Sequence, residues 1–395
     1  MQFSTRVPAA LEDNALARAV AARRAAKKTI YDLTLTNPTQ AGLDYPTAEI
    51  AAALAEGAAA PYSPEPLGLL SARKAVAAYY PGCGLDAVDW TCLHLTASTS
   101  EAYSLLFKLL GEPGVEILAP RPSYPLIEHL AALDGWSARP YPLVPDHTGV
   151  WHLDQAALVA AITPATRAIA VIHPHNPTGW IANGADTHFL LDTCARHGLP
   201  LIADEVFLDY PAVGNKTCAE SFASHKSSAL TFTLGGLSKS CGLPQLKLAW
   251  IHTGGPAELV AEAQARLDFI ADAYLSANTP VQAALPKLFE CGKKIRGQIQ
   301  RRLEENYAVL AGLTWPKGLA VMPREAGWSA LLRRPAAPDE EKLALKLLER
   351  AGVLAHPGYF FDFPESGWHV ISLLPEPKEF RVGVEGLREW LPKLV

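Results

Sequence analysis

Short apolar runs, separated by stretches long enough for a helix, dominate the middle of the chain. Five of these runs have the length of a strand: residues 115–119, 168–173, 200–203, 230–234 and 248–252. Continuous apolar runs are typical of strands that are buried on both faces of a parallel sheet. The pattern therefore predicts an α/β domain with a mostly parallel sheet flanked by helices.

The two ends of the chain have a different texture. Residues 9–28 have the pattern of a helix, and residues 30–36 alternate like a short strand. A long helical region follows the apolar runs, over residues 255–311. After it, the pattern predicts strands at 319–322, 328–332 and 370–374, and helices at 338–351 and 377–394. We therefore predict an N-terminal helix and segment (1–45) that joins a small domain, a large domain (46–285), and a smaller C-terminal α+β domain (286–395).

Composition narrows the class of protein. The 35 Lys and Arg residues are outnumbered by 40 Asp and Glu residues, so the formal net charge is −5 and no basic surface for nucleic acid is expected. No apolar run reaches the roughly 20 residues of a membrane helix, so we expect no membrane contact. The six cysteines form no CxxC pair, which favours reduced thiols. Glu12 and Asp13 argue against a transit peptide, and we expect the chain in the cytoplasm.

Four polar segments carry the candidate chemistry. Residues 173–179 (HPHNPTG) and Asp204 each follow an apolar run, Lys239 follows another within the glycine- and hydroxyl-rich segment 235–242, and the hydroxyl-rich turn 95–102 opens a predicted helix. Each segment alone has an ordinary explanation as a turn, a helix cap or a loop. The carboxyl ends of strands in open α/β sheets are, however, where ligands bind, and a helix N-terminus with hydroxyls suits a phosphate.

The order and spacing of these four segments resemble the class I/II aminotransferases of pyridoxal phosphate (PLP) fold type I, the aspartate aminotransferase-like proteins. The spacings from Asn176 to Asp204 and from Asp204 to Lys239 are both close to the family pattern. The resemblance extends from Asn37 to the final helix. It implies a large domain with a mostly parallel, seven-stranded type of sheet flanked by helices, and a smaller α+β domain.

The resemblance assigns roles around the ring of PLP. Lys239 would form the Schiff base and move the proton, in a partly dry site that lowers the pKa of its amine. Asp204 would pair with the pyridinium nitrogen and keep the ring an electron sink. Asn176 would hydrogen-bond the ring hydroxyl, and Tyr124 would stack on the ring face.

Further roles concern the phosphate, the substrate and a second subunit. Ser98, Thr99 and Ser100 resemble the phosphate-binding turn, and Ser238 is a further candidate ligand. Tyr62 resembles the tyrosine that reaches the phosphate of the neighbouring subunit, which implies a homodimer. Asn37 lies where the family's N-terminal segment closes over the substrate. The implied partners are a small amine or amino acid and an oxo acid.

Two departures from the family pattern affect the cofactor. Phe207 stands where the family usually has tyrosine, so one hydrogen bond to the ring oxygen is lost. That loss should raise the pKa of the Schiff base, because the bond favours its deprotonated form. Lys247 stands eight residues after Lys239, where the family usually has arginine on the phosphate. Lysine keeps the charge but loses the two-pronged geometry of the guanidinium.

A third departure affects the substrate. The family places an arginine in a late strand, where it binds the substrate carboxylate with two hydrogen bonds. Here Val370 falls in that position, and residues 351–380 contain no arginine. Either another cation takes the carboxylate, with His369 and Arg381 as weak candidates, or the substrate lacks a carboxylate there.

Several aromatic and histidine side chains have two interpretations. The stretch from Gly358 to Phe363, with Trp328 and Trp368, favours core packing over the alternative of an aromatic substrate pocket. His173 and His175 lack a third metal ligand at suitable spacing, so we interpret them as structural residues or as part of the site lining.

Three functions fit the sequence to different degrees. The resemblance favours an aminotransferase, in which Lys239 also acts as general acid and base. The alternative is a PLP-dependent lyase, catalysing β-elimination or decarboxylation, because the missing arginine changes how a substrate would be oriented. A non-catalytic regulator fits poorly, because no DNA-binding domain accompanies the fold and Lys239, Asp204 and Asn176 are all present.

Overall fold

The computed structural model describes residues 3–9, 12–82, 87–214, 219–336 and 339–394. Before the main sheet, the chain forms α1 (Ala15–Ala25), β1 (Tyr31–Asp32), α2 (Thr47–Ala58) and α3 (Leu70–Gly82). The predicted N-terminal helix is therefore shorter than residues 9–28, and it begins where the Asn14 side chain accepts a hydrogen bond from the Ala17 N–H. The predicted strand at 30–36 is reduced to two residues, because the Asp32 carboxylate accepts the Thr34 N–H and turns the chain.

The middle of the chain forms the large sheet and most of the helices around it. Its elements are β2 (Leu93–Thr96), α4 (Thr99–Leu110), β3 (Glu116–Arg121), α5 (Leu126–Leu133), β4 (Ser137–Pro145), β5 (Trp151–Leu153), α6 (Gln155–Ala161), β6 (Thr166–Ile172), α7 (Gly184–His197), β7 (Leu201–Asp204), β8 (Thr231–Gly236), α8 (Leu237–Ser240) and β9 (Ala249–Gly254).

The large sheet has the order β2-β9-β8-β7-β6-β3-β4-β5. The five strands from β8 to β4 run parallel, whereas β9 and β5 are antiparallel to their neighbours. The predicted α/β class and parallel core are thus confirmed, with the short strand β5 as an eighth member. Ile117 and Leu118 are neighbours on β3 that point to opposite faces, and both are buried because helices cover each face.

The last part of the chain adds α9 (Ala257–Asp272), α10 (Thr279–Gly312), β10 (Ala320–Val321), β11 (Ser329–Arg333), α11 (Glu340–Ala351), β12 (Val353–Leu354), β13 (His356–Pro357), β14 (Trp368–Ser372) and α12 (Pro377–Trp390). The helical region predicted at 255–311 is two helices. Leu275 has a positive φ of 45°, and Asn278 caps the second helix ahead of Pro280.

A second, antiparallel sheet lies in the C-terminal part, in the order β10-β11-β14-β13. Near it, β1 pairs in parallel with β12, and α1 packs on α11, so the N-terminal segment contacts this part of the molecule. The boundary predicted between residues 285 and 286 falls inside α10, and the three-part division stays a proposal. In the part of the chain that the structure describes, no helix combines the length and apolarity needed to span a membrane.

Candidate active site

A cavity of about 270 Å³ lies between the carboxyl ends of the parallel strands and the small antiparallel sheet. Asp204 is the last residue of β7, Asn176 follows β6, and Lys239 follows β8 on the single turn α8. All three side chains line the cavity. Strands with neighbouring places in a parallel sheet deliver these residues to one edge although they lie far apart in sequence.

The backbone of Lys239 is held from two sides. The Tyr210 hydroxyl donates a hydrogen bond to the Lys239 carbonyl, and the Ser240 hydroxyl donates to the Gly236 carbonyl. The Lys239 ammonium nitrogen lies 4.8 Å from the ring centroid of Trp328 and 5.7 Å from that of Phe207. The side chain therefore extends into the cavity between aromatic faces, from a backbone with little freedom to shift.

Burial sets the charge balance between Lys239 and Asp204. It lowers the pKa of the Lys239 amine to about 8, although the Asp204 carboxylate acts in the opposite direction. Burial also raises the pKa of Asp204 to about 6, against the Val206 N–H, the Tyr103 hydroxyl and Lys239, which all favour the anion. The site thus holds an amine that is readily deprotonated and a carboxylate that would be stabilised by a further cation.

Asn176 is positioned by the turn that follows it. Gly179 adopts a φ of 75°, and a Cβ there would lie 2.7 Å from the Ala326 carbonyl oxygen, so the turn fits closely only with glycine. The neighbouring histidines are structural. Nδ1 of His173 accepts the Ala182 N–H and Nε2 donates to the Glu220 carbonyl, while Nδ1 of His175 lies 2.9 Å from the Thr178 hydroxyl.

Aromatic rings form much of the cavity wall. Tyr124 and Phe361 stand 6.1 Å apart between ring centroids, and Phe207 packs edge-on against Trp328 at 5.7 Å. Phe361 and Trp328 are buried in the hydrophobic core, as the favoured interpretation has it, and both also line the cavity. For Phe363 and Trp368 that interpretation is right, since they stack on each other at 5.0 Å within the core.

The residues predicted to bind the phosphate have two different roles: some line the cavity, and one caps helix α4. Thr99 lines the cavity at the start of α4, and Ser238 lines it beside Lys239. Ser98 is instead the N-cap of α4, where its hydroxyl accepts the Glu101 N–H at 3.1 Å. The first N–H groups of a helix lack partners within the helix, so the start of α4 offers donors to an anion in the cavity.

The wall formed by the small sheet contains Val370 at the position that the sequence indicated. His356 is its cross-strand neighbour on β13, and both side chains line the cavity. Ser329 and Ser372 form a second cross-strand pair on the same wall. Strand register brings His356, Ser329 and Ser372 to the cavity, and Thr34, Thr36 and Tyr103 also line it. No local sequence motif marks any of these six residues.

His369 does not line the cavity, and its predicted role toward the substrate carboxylate stays a prediction. Successive residues of a strand point to opposite faces, and Val370 and Ser372 occupy the face toward the cavity. Burial and nearby Arg334 lower the pKa of His369 to about 4, so its imidazole is uncharged at neutral pH. Arg381, the other candidate, is exposed on α12.

Other predicted residues also lie outside the lining of the cavity. The Asn37 side chain caps the turn at Pro38–Gln40 by accepting the Thr39 N–H. Lys247 is exposed at a positive φ of 52°, Ser100 follows Thr99 in α4 without lining the cavity, and Tyr62 is 74% exposed. Their predicted roles toward the phosphate and the substrate stay predictions.

The chemistry of the donor set fits PLP. Lys239 offers an amine of lowered pKa, and Asn176 offers an amide. The Asp204 carboxylate, whose pKa is raised by burial, would be stabilised as an anion by a cation such as the pyridinium nitrogen. Thr99, Ser238 and the start of α4 offer hydroxyl and N–H donors for a phosphate. Fold and site together define a PLP-dependent enzyme of fold type I.

Comparison with known proteins identifies the family. The family model "Aminotransferase class I and II" matches residues 29–387. The chain therefore belongs to the class I and II aminotransferases, and it is a PLP-dependent transaminase. The predictions of family, cofactor and transamination are confirmed, and nothing in the comparisons favours the lyase.

Named relatives cover most of the chain. The alanine aminotransferase of Mycobacterium tuberculosis is 28% identical over 375 residues, which cover 92% of this chain and 85% of the relative. The glutamate-pyruvate aminotransferase AlaA of Escherichia coli is 25% identical over 371 residues, with 92% and 90% coverage. The solved alanine aminotransferase from Pyrococcus furiosus superimposes with a TM-score of 0.85 at 23% identity, covering 99% of this chain and all of its own. That likeness confirms the predicted fold.

Proposed function

We propose that the chain transfers an amino group between a small amino acid or amine and an oxo acid, with Lys239 as the residue that carries the cofactor. The observation that supports this assignment is the meeting of Lys239, Asp204 and Asn176 in one cavity, with the pKa of the amine lowered to about 8. An amine with that pKa is available both to attack a carbonyl and to exchange a proton near neutral pH.

Each side chain has a separate task in this proposal. Bound PLP would supply a carbonyl that receives the amino group and a ring that delocalises negative charge at the substrate carbon. Asp204 would hold a proton on the ring nitrogen, Asn176 would orient the ring, and Tyr124 and Phe207 would pack beside it. The Lys239 amine would remove the proton from the substrate carbon and deliver it to the carbonyl carbon of the cofactor, shielded from water by Trp328 and Phe361.

The remaining predicted residues belong to the phosphate and to a second subunit. Thr99, Ser238 and the start of α4 would bind the phosphate, with Ser100 and Lys247 as further contacts. Tyr62 would reach the phosphate of a partner copy, so the active form would be a homodimer. In the part of the chain that the structure describes, the thiols of Cys92, Cys194 and Cys291 form no disulfide, which supports the cytoplasm as the location.

The size of the cavity and the names of the relatives suggest which substrates to assay first. Small-molecule sites commonly measure roughly 300–1,000 Å³, and this cavity of about 270 Å³ would hold both cofactor and substrate. A small substrate is therefore expected. The relatives are named for alanine and for glutamate and pyruvate, which makes these the first amino acid and oxo acid pairs to test.

Replacing Lys239 tests the central assignment. We expect Lys239→Ala to lose turnover by several orders of magnitude, because both the cofactor linkage and the proton exchange depend on this amine. The measurement is formation of oxo product from each donor, together with the visible absorbance of bound PLP. Lys226→Ala, at an exposed lysine, is the matched control and should keep both signals.

Two outcomes would contradict the proposal. Near-normal turnover by Lys239→Ala would remove Lys239 from the reaction. Catalytic release of ammonia from a single substrate, without consumption of an oxo acid, would assign the chain to the lyase chemistry instead.

A further inference from the structure

The cavity wall formed by β11, β13 and β14 carries no positive charge at neutral pH. Among the described residues that line the cavity, Lys239 is the one lysine and no arginine is present. Val370 presents only methyl groups on this wall. His356 is its one titratable side chain, and burial lowers the pKa of the imidazole, although the nearby Asp32 acts in the opposite direction.

Two hydroxyls near this wall, those of Ser372 and Thr34, are already engaged in hydrogen bonds within the protein. The Ser372 hydroxyl donates to the Leu35 carbonyl and accepts the Leu374 N–H. The Thr34 hydroxyl donates to the Asp32 carboxylate. With these two hydroxyls engaged, a substrate carboxylate would find no cation among the described residues of this wall, and an anion without a charged partner is strongly disfavoured in a dry site.

The arginine at the rim of the cavity is also neutralised. Arg121 ends β3 close to Tyr124, but its guanidinium lies 2.7 Å from the Asp362 carboxylate and also donates to the Asp362 carbonyl. Taking a substrate carboxylate would require this pair to break. Arg121 thus does not replace the missing charge on the wall.

The position of His356 gives the wall one neutral polar group. Its ring packs 5.8 Å from Phe361 and 5.4 Å from Phe360, measured between centroids, and its Nδ1 is buried without a hydrogen-bond partner. Cross-strand pairing puts it directly beside Val370. The wall is therefore uncharged and mostly apolar, with one imidazole and the hydroxyls of Ser329 and Ser372, which suits an alkyl or aryl group or a neutral polar group.

We propose that the preferred amino donor is a primary amine with no carboxylate on its amino-bearing carbon, whose apolar substituent packs against Val370 and Phe361. This proposal rests on the transamination proposed above. In the half-reaction the C–N bond of the amine would break, the amino group would pass to bound PLP, and water would supply the oxygen of the aldehyde or ketone product. The amine carbon would be oxidised and the carbonyl carbon of PLP reduced, while Lys239 would move the proton from the first carbon to the second.

Matched pairs of donors test the proposal on the holoenzyme without an acceptor. Each pair differs only by the carboxylate: ethylamine and alanine, 3-methylbutylamine and leucine, 2-phenylethylamine and phenylalanine. The measurement is the second-order rate constant for loss of the visible cofactor band, with the carbonyl product quantified. We expect the amine to react at least about tenfold faster in the pairs that react, since an unpaired carboxylate penalises the amino acid. Faster reaction of the amino acids would overturn the proposal but leave transamination intact. No reaction with any donor of a cofactor-loaded enzyme would overturn both.

Variants of the wall locate the source of the preference. Val370→Arg should reverse the ratio in favour of leucine, because it supplies the guanidinium that the wall lacks. Val370→Leu, which keeps the wall apolar, is the matched control and should keep the preference for the amine. If Val370→Arg does not fold, His356→Arg provides a second test, because it places a guanidinium on the same wall from the paired strand β13. A ratio that stays unchanged in a folded, cofactor-loaded arginine variant would contradict the assignment of this wall.

Discussion

At the scale of single residues, the properties of the site come from the environment of Lys239 more than from its neighbours in sequence. The amine lies between the faces of Trp328 and Phe207. These rings exclude water, and they stabilise the charged ammonium less than the lost hydration did. The carboxylate of Asp204 partly restores the charged form. The balance lowers the pKa of the Lys239 amine to about 8. This pKa lies below that of an exposed lysine and above that of a buried lysine with no carboxylate nearby.

The lowered pKa predicts how the apoenzyme takes up PLP. Only the unprotonated amine attacks the carbonyl, so the uptake rate should be half-maximal near pH 8 and level off above it, whereas the midpoint for an exposed lysine would lie near pH 10.4. The measurement is stopped-flow formation of the visible band, normalised to the same reaction of an acetylated lysine amide. Asp204→Asn should move the midpoint to lower pH, because it removes the carboxylate that raises the pKa. A rate that rises without a plateau beyond pH 10 would contradict this account.

How far the sequence predicts the site depends on where each residue lies. Lys239, Asp204 and Asn176 lie at or shortly after the carboxyl ends of buried strands, so their meeting at one sheet edge follows from strand order and direction. His356 and Ser329 reach the cavity only through the register of the small sheet. His369 lies outside the cavity lining because a one-residue step along a strand reverses the face, and the sequence does not say which face is inward.

At the scale of elements, the sequence pattern does not predict strand β4 or the break between helices α9 and α10. Strand β4 contains Pro140, Pro142 and Pro145, which argue against a strand. It forms near the sheet edge, where parallel β3 is its long partner and only the short β5 lies on the other side. The long region predicted as helical is broken near Leu275, where one residue of positive φ has no distinctive sequence signal.

The start of α4 gives a prediction at this scale. Ser98 caps the helix, and the Glu101 carboxylate accepts the Ala97 N–H and the Ser276 hydroxyl, so both side chains are engaged in structure. Thr99, by contrast, lines the cavity. Ser98→Ala should lower the free energy of unfolding by about 1 kcal/mol. Thr99→Val should weaken PLP binding by roughly 10- to 100-fold while stability changes little, because it removes one hydrogen bond to a charged group.

Two measurements separate the two tasks. Thermal unfolding of the apoenzyme reports the cap, and titration of the visible band with PLP reports the phosphate contact. A larger loss of PLP affinity in Ser98→Ala than in Thr99→Val would reverse the two assignments.

At the scale of the whole molecule, one predicted residue makes sense only in an assembly. Tyr62 is 74% exposed and faces a surface depression that it shares with Tyr274, away from the cavity of its own chain. Exposed tyrosines are enriched where one protein surface meets another. If Tyr62 binds the phosphate of a partner copy, each active site is built from two chains, and the symmetry of a dimer gives two such sites.

Mixed dimers test this arrangement directly. In the proposed dimer, each site takes Lys239 from one chain and Tyr62 from the other. A mixed dimer of a Lys239→Ala chain and a Tyr62→Ala chain would therefore contain one site with both substitutions and one site with neither. Unfolding and refolding an equal mixture should therefore restore activity to about a quarter of the unmodified enzyme, given random pairing in a two-fold dimer. Activity is compared with each variant refolded alone, and dimer formation is checked by sedimentation velocity. If Tyr62 instead acts within its own chain, every site that retains Lys239 also carries the Tyr62→Ala substitution. The mixture would then show no more activity than the average of the two variants.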